Sequence, residues 1–140
     1  SWLEIGGNDT LRSFGITDLR HIPPEYIEWM KSLTYFVKMD DFILVHAGLN
    51  FEIDDPFTDT ESMIWTREYK IEPEKIGNRR IIHGHFPVNL ELMHMAVKNK
   101  SLKFIDLDNG PYIQEKPGFG NLVAIELNSM ETVIQDNRDY

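Results

Sequence analysis

The residues of this sequence best placed to do chemistry are histidines, aspartates and one arginine set at the ends of apolar runs. Phe42-Ile43-Leu44-Val45 runs into His46-Ala47-Gly48, Arg80-Ile81-Ile82 into His83-Gly84-His85, and Leu102 to Leu107 into Asp108-Asn109-Gly110. In open α/β sheets, ligands bind beyond the ends of the strands. Glycine beside a functional residue lets the backbone turn sharply and approach a ligand closely. Three such ends in one small sheet can converge on one point. Neutral imidazole suits zinc, iron and manganese-like ions, with carboxylates and water completing the shell. Arg67, which follows Trp65-Thr66 at the end of a short helix, offers a planar donor fork matched to phosphate oxygens. Each residue also has a plainer use. A histidine at a strand end is commonly a hydrogen-bonded structural residue. His83 and His85 share a strand face by spacing, but both rings need not reach one metal. Arg67 can pair with Glu68 on the surface, Asp40-Asp41 and Asp54-Asp55 read as solvated turns, and His21 and His94 read as surface or packing residues.

The elements that must position these residues follow from periodicity. Gly6-Gly7-Asn8-Asp9 offers polar caps for a short helix over Thr10 to Phe14, closed by Gly15. Pro23-Pro24 starts a better helix, because proline is favoured in the first turn. Tyr26, Ile27, Met30 and Leu33 give it one apolar face. Tyr35-Phe36-Val37 reads as a strand, Asp40-Asp41 as a turn and Phe42 to Val45 as a strand buried on both faces. A polar loop from Asn50 to about Asp59 leads to a short helix through Met63, Ile64 and Trp65. Arg80 to Ile82 and Leu102 to Leu107 are further strands, and Pro111 to Gly120 is a loop or wide hairpin. Leu122 to Leu127 and Thr132 to Ile134 pair antiparallel about Asn128-Ser129. The fold class is α/β with a mixed sheet and a C-terminal antiparallel hairpin.

Bulk properties narrow the classes. The chain has 140 residues, enough for one modest domain with a core, and its 41% hydrophobic and 26% charged content is ordinary for a globular protein. A formal net charge of −9 argues against nucleic acid as a partner, since no basic face is concentrated here. With no cysteine, a disulfide framework, a thiolate zinc site and a cysteine nucleophile are excluded. No apolar run reaches membrane-spanning length and no signal peptide opens the chain, so no membrane partner and a cytoplasmic location are expected. Ser1-Trp2-Leu3, without an initiator methionine, reads as a cut from a longer chain.

Six motifs in order resemble the calcineurin-like metallophosphoesterases, in particular the bacterial-type serine/threonine protein phosphatases. Trp2-Leu3 with Gly6-Gly7, Thr10-Leu11 and Ser13-Phe14-Gly15 is similar to the segment after the family's first three motifs, and Ile22-Pro23-Pro24-Glu25 with its helix to the next. Phe42 to Leu49 resembles the family's Val-His-Ala-Gly-Leu motif, and Met63 to Glu68 its Leu-Trp-x-Arg-Glu. Ile81 to Val88 resembles Val-His-Gly-His-Thr-Pro-Val, and Phe104 to Gly110 the Ile-Asp-Thr-Gly strand. The likeness runs from Trp2 to about Leu127. Phe86 and Asn109 stand where threonine is usual, and Pro111 to Phe119 departs from the common pattern.

The resemblance implies that residues 1-140 are the C-terminal portion of a phosphoesterase domain, half of a metallophosphoesterase α/β sandwich. It implies hydrolysis of phosphate esters at two divalent ions (manganese, iron or zinc), with a phosphoprotein or other phosphoester as substrate. By position, His46 and His85 would be imidazole ligands of the second metal, and Arg67 would bind the substrate phosphate and act in catalysis. Tyr112 would line the substrate site, Asp108 would be structural, and His83 would lie nearby without ligating. The family's Gly-Asp-x-His-Gly, Gly-Asp-x-x-Asp-Arg-Gly and Gly-Asn-His-Glu motifs do not occur in this chain and are expected upstream of Ser1. The chain by itself is therefore expected to be inactive and to self-associate through apolar surface left uncovered. Two other readings remain open: a diadenosine-tetraphosphate-type hydrolase, and a non-catalytic α/β interaction module.

Overall fold

The computed structural model describes residues 2–138; Ser1, where the sequence reads as a cut, lies outside them. The chain forms two compact units, Ser1–Thr34 and Tyr35–Tyr140.

In the first unit a 3-10 turn over Trp2–Ile5 leads into α1, Gly7–Ser13, and a second 3-10 turn over Leu19–His21 into α2, Pro24–Ser32. The start of α1 differs from the sequence reading. Gly6, in the left-handed region, is the cap, and no side chain bonds to the helix end. Asn8 and Asp9 lie inside the helix, where Asp9 pairs with Arg12 at 2.9 Å. Gly7 is required by packing, since a Cβ there would sit 2.3 Å from the Trp2 ring. Proline opens α2 as expected, but α2 buries none of its residues, and Tyr26, Trp29 and Met30 stay exposed.

The second unit carries the sheet. Strands β1 (Phe36–Lys38), β2 (Phe42–Val45), β3 (Arg80–His83) and β4 (Phe104–Asp106) lie in the order β1-β2-β3-β4. β1 pairs antiparallel with β2 across the Asp40-Asp41 bend, whereas β2, β3 and β4 are mutually parallel. The sheet is therefore mixed. Its two faces separate by strand alternation. Ile43, Val45 and Ile81 face a cluster with Leu49, Phe51, Met63 and Ile76, while Ile82 and Ile105 face Val97, Leu44, Leu107 and Ile125. β2 is less symmetric than its unbroken apolar run suggests. Ile43 and Val45 are buried, while Phe42 and Leu44 on the other face are half-buried.

Between β2 and β3 lie α3 (Thr60–Trp65), capped by the Asp59 carboxylate accepting from the Ser62 N–H, and a 3-10 turn over Pro73–Ile76. Between β3 and β4 lies α4, Leu90–Lys98, an element the sequence reading does not contain. Its signals are present. Asn89 caps it by accepting from the Glu91 N–H at 2.9 Å, and Met93 and Val97 recur on its buried face. Arg80 closes its other end. The guanidinium donates to the Ala96 carbonyl at 2.6 Å, an acceptor that the helix end leaves free, and to the Leu102 carbonyl beyond it at 3.0 Å. β5 (Asn121–Ile125) and β6 (Thr132–Asp136) form a separate antiparallel sheet. Its turn is held by the Glu126 carboxylate, which accepts from the Asn128 and Ser129 N–H groups. No helix among the described residues is long and apolar enough to cross a membrane.

Candidate functional site

Parallel pairing in near-level register brings the C-terminal ends of β2, β3 and β4 side by side: Leu44 lies opposite Ile82, and His83 opposite Asp106. His46, His83-Gly84-His85 and Asp108 thus leave one edge of the sheet together. Two of the imidazoles meet. His46 Nε2 and His85 Nδ1 are 3.1 Å apart, with the rings edge to face. His85 reaches this position through a positive φ of 74°, a conformation non-glycine residues seldom adopt. Its other nitrogen, Nε2, is covered and has no hydrogen-bond partner.

That separation suits either of two arrangements. One is a hydrogen bond between neutral rings. The other is ligation of one ion, since two nitrogens about 2.1 Å from a metal lie about 3.0 Å apart at a right angle and about 3.4 Å at the tetrahedral angle. Burial lowers the pKa of His85, with the neighbouring His46 and the Arg67 guanidinium acting in the same direction and Asp108 opposing them. The neutral, donor form of the ring is thereby favoured. Among the described residues no group of three or more histidine, aspartate or glutamate side chains is arranged to hold a metal. The donor set present is therefore a pair.

The helix following β2 supplies the rest of the neighbourhood. The Ala47 N–H donates to the Met63 carbonyl at 2.8 Å, tying the end of α3 to the end of β2. Trp65 remains exposed and stands nearly perpendicular to the His85 ring, with centroids 6.1 Å apart. Arg67 is exposed one residue past the helix cap, close enough for its charge to act on His85. Tyr112 is exposed on the loop after Gly110, and among the described residues no ring contact joins it to either imidazole. Asp108 stands behind Gly84, and its Oδ1 accepts from the Gly110 N–H at 2.8 Å, shaping the loop after β4.

His83 does not join the pair. Its ring neighbours Tyr69, 6.0 Å away, and Phe104, 6.5 Å away, and Nδ1 is 3.2 Å from the Gly84 carbonyl oxygen. Burial lowers its pKa. Beside it, burial raises Asp106 to about 7, and raises Tyr69, whose hydroxyl is covered and lacks a partner. This inner cluster was missed in the sequence because Tyr69 and Asp106 lie far apart along the chain in unremarkable contexts.

Gly48 shows how tightly the end of β2 is built. A Cβ there would meet the Tyr69 ring at 2.2 Å and the Thr66 methyl at 2.7 Å. Tyr69 cannot swing aside freely, because it stacks on Phe51 at 5.8 Å. Gly48→Ala is therefore expected to lower stability by about 1–3 kcal/mol, as overpacking does. Urea denaturation checks this, and a variant as stable as the parent would show that the ring has room.

No family model matches the chain, and neither curated proteins nor solved structures give a match.

Proposed function

We propose that this chain contributes the two-imidazole half of the metal site of a phosphoesterase, of the serine/threonine protein phosphatase kind. The observation that carries the reading is the 3.1 Å approach of His46 Nε2 and His85 Nδ1 at the ends of adjacent parallel strands. His46 and His85 would hold the ion as neutral donors, and Arg67 would bind phosphate oxygens through its guanidinium fork. A divalent ion held there supplies Lewis-acid charge for a phosphoryl oxygen. The chain's own part is to fix the imidazole pair and to bring Arg67 beside it through the link from Ala47 to Met63. With only two donors the ion is held weakly, so this chain by itself is proposed to have little or no turnover. Exposed side chains such as Trp65 and Phe86 beside the site are proposed to be covered by further protein in the working enzyme.

Calorimetric titration with zinc and with manganese tests the reading. One weak site is expected, and binding should weaken roughly tenfold or more in His46→Ala and in His85→Ala, each of which removes one of two donors. Arg67→Ala should change metal binding far less than either histidine variant does, and abolish any gain from added phosphate. Equal affinity in the parent and both histidine variants would overturn the proposal and favour an α/β interaction module.

A further inference from the structure

We propose that His83 is a positioning residue that clamps the Gly84–His85 peptide through its carbonyl so that His85 can face His46. This inference rests on the reading of that pair as metal donors. Gly84 is held through both of the peptides that flank its Cα. Its N–H donates to the His46 backbone carbonyl at 2.9 Å, and its carbonyl oxygen lies 3.2 Å from His83 Nδ1. A carbonyl oxygen can only accept, so the proton must be on Nδ1 of His83.

The site behind the peptide is closed as well, since a Cβ on Gly84 would lie 3.3 Å from the Asp108 Cβ. The Gly84–His85 peptide leads directly into His85, whose φ of 74° accompanies the turn of the ring toward His46. A backbone conformation of that kind persists only where its surroundings over-determine it. The His83 ring is itself largely buried, with the Tyr69 ring 6.0 Å and the Phe104 ring 6.5 Å away. Freed from the clamp, the peptide can rotate, and His85 need no longer place Nδ1 at the pair. His83 would thus govern metal affinity without touching the metal, as outer groups that orient a ligand do.

The test compares His83→Phe, which keeps a ring at this position but has no donor, with His83→Asn, whose side-chain amide can donate from the position of Nδ1. Zinc affinity and the melting temperature of the metal-free chain are measured for each. His83→Phe is expected to bind zinc roughly tenfold or more weakly, and His83→Asn to recover most of the loss. The metal-free melting temperature should not follow that order. Zinc affinity in His83→Phe equal to the parent's, or an equal loss in both variants that tracks melting temperature, would overturn the clamp. The ring tautomer is read separately, by nitrogen NMR of the metal-free chain at pH 8. Nδ1–H is expected, and Nε2–H would overturn the inference whatever zinc does. Zinc binding that ignores His46→Ala would overturn the underlying reading instead, with the tautomer still deciding whether His83 grips the peptide.

Discussion

Replacing Asn109 by aspartate is expected to cost about 3–5 kcal/mol of stability at neutral pH. Asn109 is only 1% exposed. Its Nδ2 donates to the carbonyls of Val88 at 2.9 Å and Gly118 at 2.8 Å. Its Oδ1 accepts from the backbone N–H of Asn121 at 3.0 Å and from the Asn121 side chain at 2.8 Å. The amide thus joins the segment after His85, the end of the loop after Gly110 and the first residue of β5 to the end of β4. Aspartate has the same shape and retains the acceptors. It would, however, set a second anionic oxygen against two carbonyl oxygens, where the native donor stood. Burying a charge with no counter-charge is far more costly than losing a hydrogen bond. Asn109→Leu, which loses the bonds without adding charge, should cost less. The measurement is urea denaturation of all three chains. A change below about 1 kcal/mol in Asn109→Asp would mean that the network is dispensable.

The second large effect concerns pH. Burial raises the pKa of Asp106 to about 7, the Asp108 carboxylate adds to the rise, and the Asp108 N–H donating to Asp106 Oδ1 at 2.9 Å opposes it. An aspartate in the unfolded chain ionises near its ordinary value, about 3.9. Between these two values the folded chain holds a proton that the unfolded chain has released. Stability therefore falls as pH rises through that window. Below it both states are protonated and no cost is felt; above about 7 the full cost is present. Asp106→Asn keeps the oxygen that accepts from Asp108 and removes the ionisation. It is expected to be the more stable chain at pH 8, by about 2 kcal/mol once solvent screening of a half-buried group is allowed for. The advantage should disappear toward pH 4. His83, whose pKa burial lowers, titrates with the opposite sign in part of this range, so the informative quantity is the difference between parent and variant. A difference that stays constant from pH 4 to 8 would show that Asp106 ionises normally in the folded chain.

How far the fold and the site could be read from sequence differs by element, for physical reasons. The strands were legible because their apolar, β-branched runs are bounded by turn residues, as in Phe42 to Val45 and Arg80 to Ile82. The proline start of α2 was legible because it is a local rule. The α4 helix carried its cap at Asn89 and its spacing at Leu90, Met93 and Val97, but the stretch between the His85 motif and β4 drew no periodicity reading. Convergence of His46 and His85 could be anticipated because glycine-flanked histidines ended two apolar runs. What could not be read was the tertiary part. No local pattern announces that Arg80 closes α4, that Asn109 joins three distant backbone segments, or that His85 has a positive φ. Those features depend on partners brought in from elsewhere in the chain.

The parallel pairing of β2, β3 and β4 has a kinetic consequence. The β5–β6 hairpin and the β1–β2 pair close over short turns, whereas each parallel pair must first gather a long intervening stretch of chain. Loop-closure entropy is lost before those contacts give anything back, which makes such pairings slow. The ends of β2 and β3, which lead into His46 and His85, are therefore expected to assemble late. The two imidazoles are thus expected to stay apart through most of folding and to meet only when the sheet is almost complete.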